Sequence, residues 1–285
     1  MKFGIRPEVA AVLIRLAGFT FFALSGLFLF SWLLLGLGYF VASALHAFLA
    51  AAVANLLAMR IYEQGGLADI GYHWGRASAI NLLLGLGSSV LAGLFVTLGP
   101  ILEGAAELTP IPGQAADWRN IAMVMVLIVF GGFGEEMLFH GYGFQKLMGI
   151  AGPFATILPV SILFAVAHGA NLHVSPLALF NTGLWGFALG LAFWKSGDLW
   201  LASGLHVGWN WTLPLMGANL SGFTMSVTGH ELRWTASELW SGGAYGPEGG
   251  LVTTLALAGL LAWLVFKAPV RRQTPFLLRS RWEEM

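Results

Sequence analysis

The stretch IAMVMVLIVFGGFGEEMLFHG, Ile121 to Gly141, decides the fold. Its first thirteen residues, Ile121 to Phe133, carry no charge, and two adjacent acids, Glu135 and Glu136, follow. A helix through this run holds both acids at membrane depth. There each ionised acid costs roughly 2.5–3.5 kcal/mol on insertion scales, and such residues usually mark function.

The surrounding chain has the same character. Of its 285 residues 57% are hydrophobic and only 10% charged, with frequent Gly and Trp, which is not the balance of a soluble domain. Several uncharged runs exceed the ~20 residues that cross a bilayer. The fold class is therefore all-α, a polytopic membrane protein with about eight transmembrane helices. They are expected near Val12–Leu35, Gly38–Met59, Ala77–Leu98, Asn120–Met148, Pro153–His168, Pro176–Trp194, Leu199–Met216 and Leu251–Phe266. The Gly36-Leu37-Gly38 turn makes the first two a tight hairpin. Three regions follow: helices one to three with an outer loop over 1–119, a core of helices four to seven over 120–216, and an outer loop, helix eight and basic tail over 217–285.

Basic residues set the orientation. With a cytoplasmic N-terminus, Lys2, Arg6, Arg15, Arg60, Arg76, Lys146, Lys195, Lys267, Arg271, Arg272, Arg279 and Arg281 fall on the cytoplasmic side, and only Arg119 and Arg233 on the other. Both termini are thus expected in the cytoplasm. Glu103, Glu107, Asp117, Glu231, Glu238 and Glu248 collect in the outer loops. Lys2 and Arg6 precede an apolar run longer than a signal-peptide core and without a clear cleavage site, so the run reads as a retained first helix. The tail, with Arg271, Arg272, Arg279, Arg281 and Trp282, suits an anionic leaflet, although ordinary topology anchoring explains it as well. A formal net charge of zero gives no reason to expect a nucleic-acid partner, and the absence of cysteine excludes disulfides, thiolate metal sites and a cysteine nucleophile. Gly183, Gly186 and Gly190 form a row that lets a neighbouring helix approach closely.

Few strongly polar residues remain within the later helices. They are Glu135, Glu136 and His140 in segment four, His168 ending segment five, Asn181 in segment six, and His206 with Asn210 in segment seven. His206 and Asn210 are four apart and share one helical face, and Glu136 and His140 are four apart and can pair. Glu135 points about 100° away from Glu136, so the two acids have different neighbours. His46 reads as an interhelical hydrogen-bonding residue, His73, His173 and His230 as loop residues, and Asn181 as structural.

A carboxylate taken out of water is a stronger base than one in it, which suits a general base. A histidine beside the same water can share the proton transfer. A second histidine and an asparagine on one face supply donors for a developing oxyanion. Together they describe peptide hydrolysis by activated water. Zinc is a variant, bound by Glu135, His168 and His206 if present, although the His-Glu-x-x-His signature is missing.

The order Glu135-Glu136-x-x-x-His140, Phe164-x-x-x-His168 and His206-x-x-x-Asn210 resembles the membrane-embedded CAAX prenyl protease and bacteriocin-processing family. That family carries Glu-Glu-x-x-x-Arg, Phe-x-x-x-His and His-x-x-x-Asn/Asp. Leu199-Trp200, Gly204-Leu205-His206 and Trp209-Asn210 are similar to its bacterial branch. The likeness covers about Asn120 to Met216. It implies that Glu135 activates water with His168, that His206 and Asn210 bind the oxyanion or orient the site, and that Glu136 supports the helix. It further implies a multi-pass protein of a bacterial inner (plasma) membrane, acting on peptide or membrane-protein substrates. His140 departs from the family arginine: arginine is always charged and forks onto a carboxylate, whereas histidine changes charge near neutral pH. A non-proteolytic scaffold or bacteriocin self-immunity protein of the same fold is the alternative. A proton-coupled transporter is a third class, set back by the lack of an inverted repeat. On this topology Glu135 lies toward the cytoplasmic half and His168 toward the outer side. The expectation is therefore that segment five extends beyond His168 or that segment four is tilted or broken near Gly131-Gly132-Gly134.

Overall fold

The computed structural model describes residues 7–278. Lys2, Arg6, Arg279, Arg281 and Trp282, which the orientation and tail readings use, lie outside them. Helices α1 (Pro7–Leu33) and α2 (Tyr39–Ala58) form the expected hairpin, with a wider helical turn extending α2 to Glu63. Then come α3 (Arg76–Leu102), α4 (Trp118–His140), α5 (Tyr142–Ala151), α6 (Pro153–Ala167), α7 (Pro176–Ser196), α8 (Leu199–Leu215), the single turn α9 (Glu238–Ser241) and α10 (Leu251–Phe266).

Five stretches are long and apolar enough to cross a membrane: Pro7–Leu33, Phe40–Glu63, Arg76–Leu102, Trp118–Ala151 and Pro176–Ser196. The helices α6, α8 and α10, of 15, 17 and 16 residues, are shorter. At 1.5 Å per residue they reach about 23–26 Å, less than the ~30 Å hydrocarbon core.

One short β-ribbon accompanies the helices. The loop after α3 contributes β1 (Ala106–Pro110) and the loop after α8 contributes β2 (His230–Trp234), paired antiparallel from Ala106↔Trp234 to Pro110↔His230. His230, expected in a loop, opens β2. The ribbon joins the two long loops.

The tightest helix pair is α3 with α8. A Cβ at Gly85 would strike the Leu201 carbonyl, and one at Gly204 the Leu82 carbonyl, so the backbones touch across two glycines. A larger residue must separate the helices, and overpacking of this kind costs typically about 1–3 kcal/mol. Gly204→Val is expected to lower the thermal unfolding midpoint of the purified protein by several degrees, whereas Gly259→Ala, where nothing lies within 4 Å, leaves it in place. The row on α7 behaves as expected. Gly186 faces Ser161 and Phe164 of α6, and Gly190 faces Ile157.

Segment four is not one continuous helix to Met148. It breaks at Gly141, where the backbone leaves the helical region (φ −76°, ψ −139°). The cause lies on α2. The Asn55 amide donates to the Met137 carbonyl (2.9 Å), and its side-chain oxygen accepts from the Tyr142 N–H (2.8 Å). One buried side chain thus satisfies two of the backbone groups that the break frees, and a Cβ at residue 141 would collide with it. Helix α4 runs unbroken through Gly131–Gly134, and α6 stops at Ala167 with His168 as its C-cap. Neither the expected break nor the extension of segment five is present.

Residues after α10 fold back onto the protein. Asn81 donates to the Arg271 carbonyl (2.8 Å) and accepts from its N–H (2.8 Å), while its amide also donates to Asp198 (2.9 Å). Gln273 donates to the same carboxylate. Burial pushes the Asp198 carboxyl up, and these donors with the Leu201 N–H pull it back. Two of the expected cytoplasmic cations are also paired, since Arg15 and Lys146 each stand 3.0 Å from Glu63.

Candidate active site

Helix α4 presents its two acids to different surroundings, as their 100° offset requires. Glu136 is fully buried. Its Oε2 lies 2.9 Å from His140 Nδ1 and its Oε1 2.8 Å from His206 Nδ1. A carboxylate only accepts, so both ring nitrogens carry the proton and donate. The brace expected between Glu136 and His140 is present, and it extends across to α8. His140 Nε2 is buried without a partner.

Glu135 turns instead into a cavity of about 440 Å³. Its Oε2 stands 3.8 Å from His168 Nε2 and 3.7 Å from His206 Nε2 and has no hydrogen-bond partner. These separations are too long for direct hydrogen bonds and of the kind a water spans. His168 reaches this point from the end of α6. Its Nδ1 lies 2.8 Å from the Phe164 carbonyl, an obligate acceptor, which fixes the proton on Nδ1 and turns the Nε2 lone pair toward Glu135. The Phe164 ring packs on His168 (4.6 Å between centroids) and meets His206 edge-on (6.2 Å). Asn210, one turn beyond His206, lines the same cavity. The structure therefore brings Glu135, His168, His206 and Asn210 together around one space, with Glu136 and His140 behind them.

His46, Ser221 and Glu248 are among the cavity residues not singled out from the sequence as part of the site. His46 of α2 lines it, although its Nδ1 bonds the Ala42 carbonyl of its own helix (2.9 Å) rather than a neighbouring one. Ser221 and Glu248 line it from the segment between α8 and α10. Glu248, expected as a loop charge, is buried and accepts from Trp209 Nε1 (2.9 Å) and Ser221 Oγ (3.0 Å). Burial pushes its carboxyl up, against the pull of these donors. Asn181 holds this loop in place by donating to the Glu248 (2.8 Å) and Gly250 (3.0 Å) carbonyls, a larger part than its sequence position suggested. No local signal marks Glu248. It follows Pro247 and precedes two glycines, which reads as a turn. Ser161 Oγ donates to the Ile157 carbonyl (2.7 Å), and Ser203 Oγ lies 2.8 Å from the Tyr72 hydroxyl.

For zinc, the donor types at Glu135, His168 and His206 are suitable, but their placement is not. Ligands on one tetrahedral zinc stand about 3.3 Å apart, given bonds near 2.0–2.1 Å. The nitrogen–oxygen distances here are 3.7 and 3.8 Å. No group of three His, Cys, Asp or Glu among the described residues is placed to hold a metal ion.

The helical architecture, with five stretches long and apolar enough to cross a membrane, sets paired acids beside two histidines of other helices. Residues 117–212, 96 of the 285, match the family model for type II CAAX prenyl endopeptidase Rce1-like proteins. That segment carries an Rce1-like domain and contains every one of the six expected site residues. No curated protein and no solved structure matches the chain.

Proposed function

We propose that this protein is an intramembrane endopeptidase that hydrolyses peptide bonds of membrane-associated substrates through water activated by Glu135 and His168. The observation that carries this reading is the unpartnered Glu135 Oε2, flanked by two Nε2 atoms, at the wall of a cavity between helices. Water adds to the substrate carbonyl carbon as Glu135 takes its proton, with the His168 Nε2 lone pair orienting the water. The carbonyl π electrons move to oxygen, and the Asn210 amide and His206 Nε2–H donate to that oxyanion. His206 has its Nδ1–H committed to Glu136, so donation from Nε2 is the work of the imidazolium. Collapse breaks the C–N bond, and the proton held on Glu135 goes to the leaving amine.

In the proposed topology α6, α8 and α10 complete eight membrane segments with both termini cytoplasmic. The compartment is a bacterial inner membrane. Zinc bound by Glu135, His168 and His206 would supply a Lewis acid and a more acidic water, but their spacing does not favour it. The matched family's name refers to CAAX prenyl endopeptidases, yet nothing in the sequence reads out a prenyl chain, so the substrate class is membrane-associated peptide.

The test is purified protein in lipid, incubated with a membrane-peptide library and read by mass spectrometry, with and without a chelator. Cleavage is expected to persist after chelation. Loss on chelation with recovery on adding zinc would overturn the metal-free mechanism. No cleavage by the wild type, together with protection of cells against a bacteriocin, would replace the enzyme with the self-immunity reading.

A further inference from the structure

The outer wall of the cavity holds a second carboxylate that the hydrolytic scheme leaves unused. Glu248 comes from the turn Pro247–Gly249 ahead of α10, outside the family match. Its three hydrogen bonds have a structural purpose. They join Trp209 of α8 to the turn at Ser221, itself in the left-handed region (φ 50°). A carboxylate is the one group of this size that accepts on both oxygens, so anchoring alone explains the residue type.

Anchoring does not neutralise it. All three partners are neutral donors, and one lone-pair direction on Oε1 stays available. The wall of the cavity contains Glu135 and Glu248 but no lysine or arginine among the described residues. The titratable neighbours are histidines, and Glu248 is near enough to His168 and His206 for its charge to act on both. A carboxylate buried without a cation is costly, and a ligand that brings the cation recovers that cost. A free C-terminal carboxylate entering the same space meets two acids, and among the lining residues only histidines can carry positive charge there.

We propose that Glu248 is a specificity-determining residue that selects peptide segments carrying a Lys or Arg side chain close to the bond presented to Glu135. This deepens the endopeptidase reading and rests on it for the meaning of the cavity. Apolar residues such as Phe40, Leu127 and Ile128 line other parts of the cavity and would hold the flanking hydrophobic residues.

Binding, read without turnover, separates the two ideas. Full-length protein carrying Glu135→Gln is titrated in lipid nanodiscs with three fluorescent membrane peptides that differ at one central position: Lys, norleucine or Glu. The Lys peptide is expected to bind about ten-fold more tightly than the norleucine peptide, a difference of about 1.4 kcal/mol, and the Glu peptide more weakly than either. Adding Glu248→Gln should bring the Lys-to-norleucine ratio to about one, and Glu248→Asp, which keeps the charge, should restore the preference. Equal binding of Lys and norleucine, or a Lys preference that survives Glu248→Gln, overturns the role of Glu248. A failure of the wild type to cleave overturns the protease reading while leaving this binding result to stand or fall separately.

Discussion

Glu135→Gln is expected to lower kcat for peptide cleavage by at least 10²–10⁴-fold, the contribution of a positioned general base. The change is isosteric and removes the proton acceptor while leaving the shape of the cavity. Glu135 makes no direct hydrogen bond through Oε2, so the fold loses little. The unfolding midpoint and elution profile should match the wild type, and KM should move much less than kcat. A mutant with unchanged kcat would remove Glu135 from the chemistry.

Glu136 has the larger combined effect on stability and rate. Both oxygens are used, one by His140 and one by His206, in a fully buried position. Glu136→Gln keeps the volume but offers one acceptor where two N–H groups need one each. One imidazole must then change tautomer or turn away. Removing one partner of a buried charged network costs about 3–5 kcal/mol. Glu136→Gln is therefore expected to lower the unfolding midpoint by several degrees. It should also cost kcat about 10²-fold or more, because His206 loses the partner that directs Nε2 toward the cavity. Chemical denaturation and steady-state kinetics on one preparation check both halves. A normal kcat alongside a lowered midpoint would confine Glu136 to a structural role.

The difference between the two acids was legible from the sequence because it depends only on the helical angle between consecutive residues. So was the Glu136–His140 pair, one turn apart on one helix. The Glu136–His206 bond was not, since it joins residues 70 positions apart and leaves no periodic trace. Gly141 raised the same difficulty. The expected segment continues through it to Met148, and the helix breaks where Asn55, 82 residues before Met137, serves freed backbone groups. A lone asparagine in an apolar helix has to find a partner, and that is the clue Asn55 offered. Glu248 offered none, being one acid among several in a loop, and only its burial against Trp209 sets it apart.

The hairpin of α1 and α2, the glycine row on α7 and the convergence of His168 with His206 on Glu135 follow from short-range pattern and motif order. What escaped was set by which distant elements meet. The loop ribbon is an instance. Thr109-Pro110-Ile111-Pro112-Gly113 reads as a rigid turn, yet Thr109 and Pro110 lie in β1 because β2 is there to pair with them.

The central claim is that a water molecule, activated at Glu135, cuts a peptide bond inside this cavity. Its most direct measurement is cleavage of a membrane-peptide library by the purified protein in lipid, run in ¹⁸O-enriched water beside Glu135→Gln. The account predicts product peptides whose new C-terminal carboxyl carries one ¹⁸O from the wild type and no such products from the mutant. Equal labelled products from both proteins, or products formed without ¹⁸O, would contradict it.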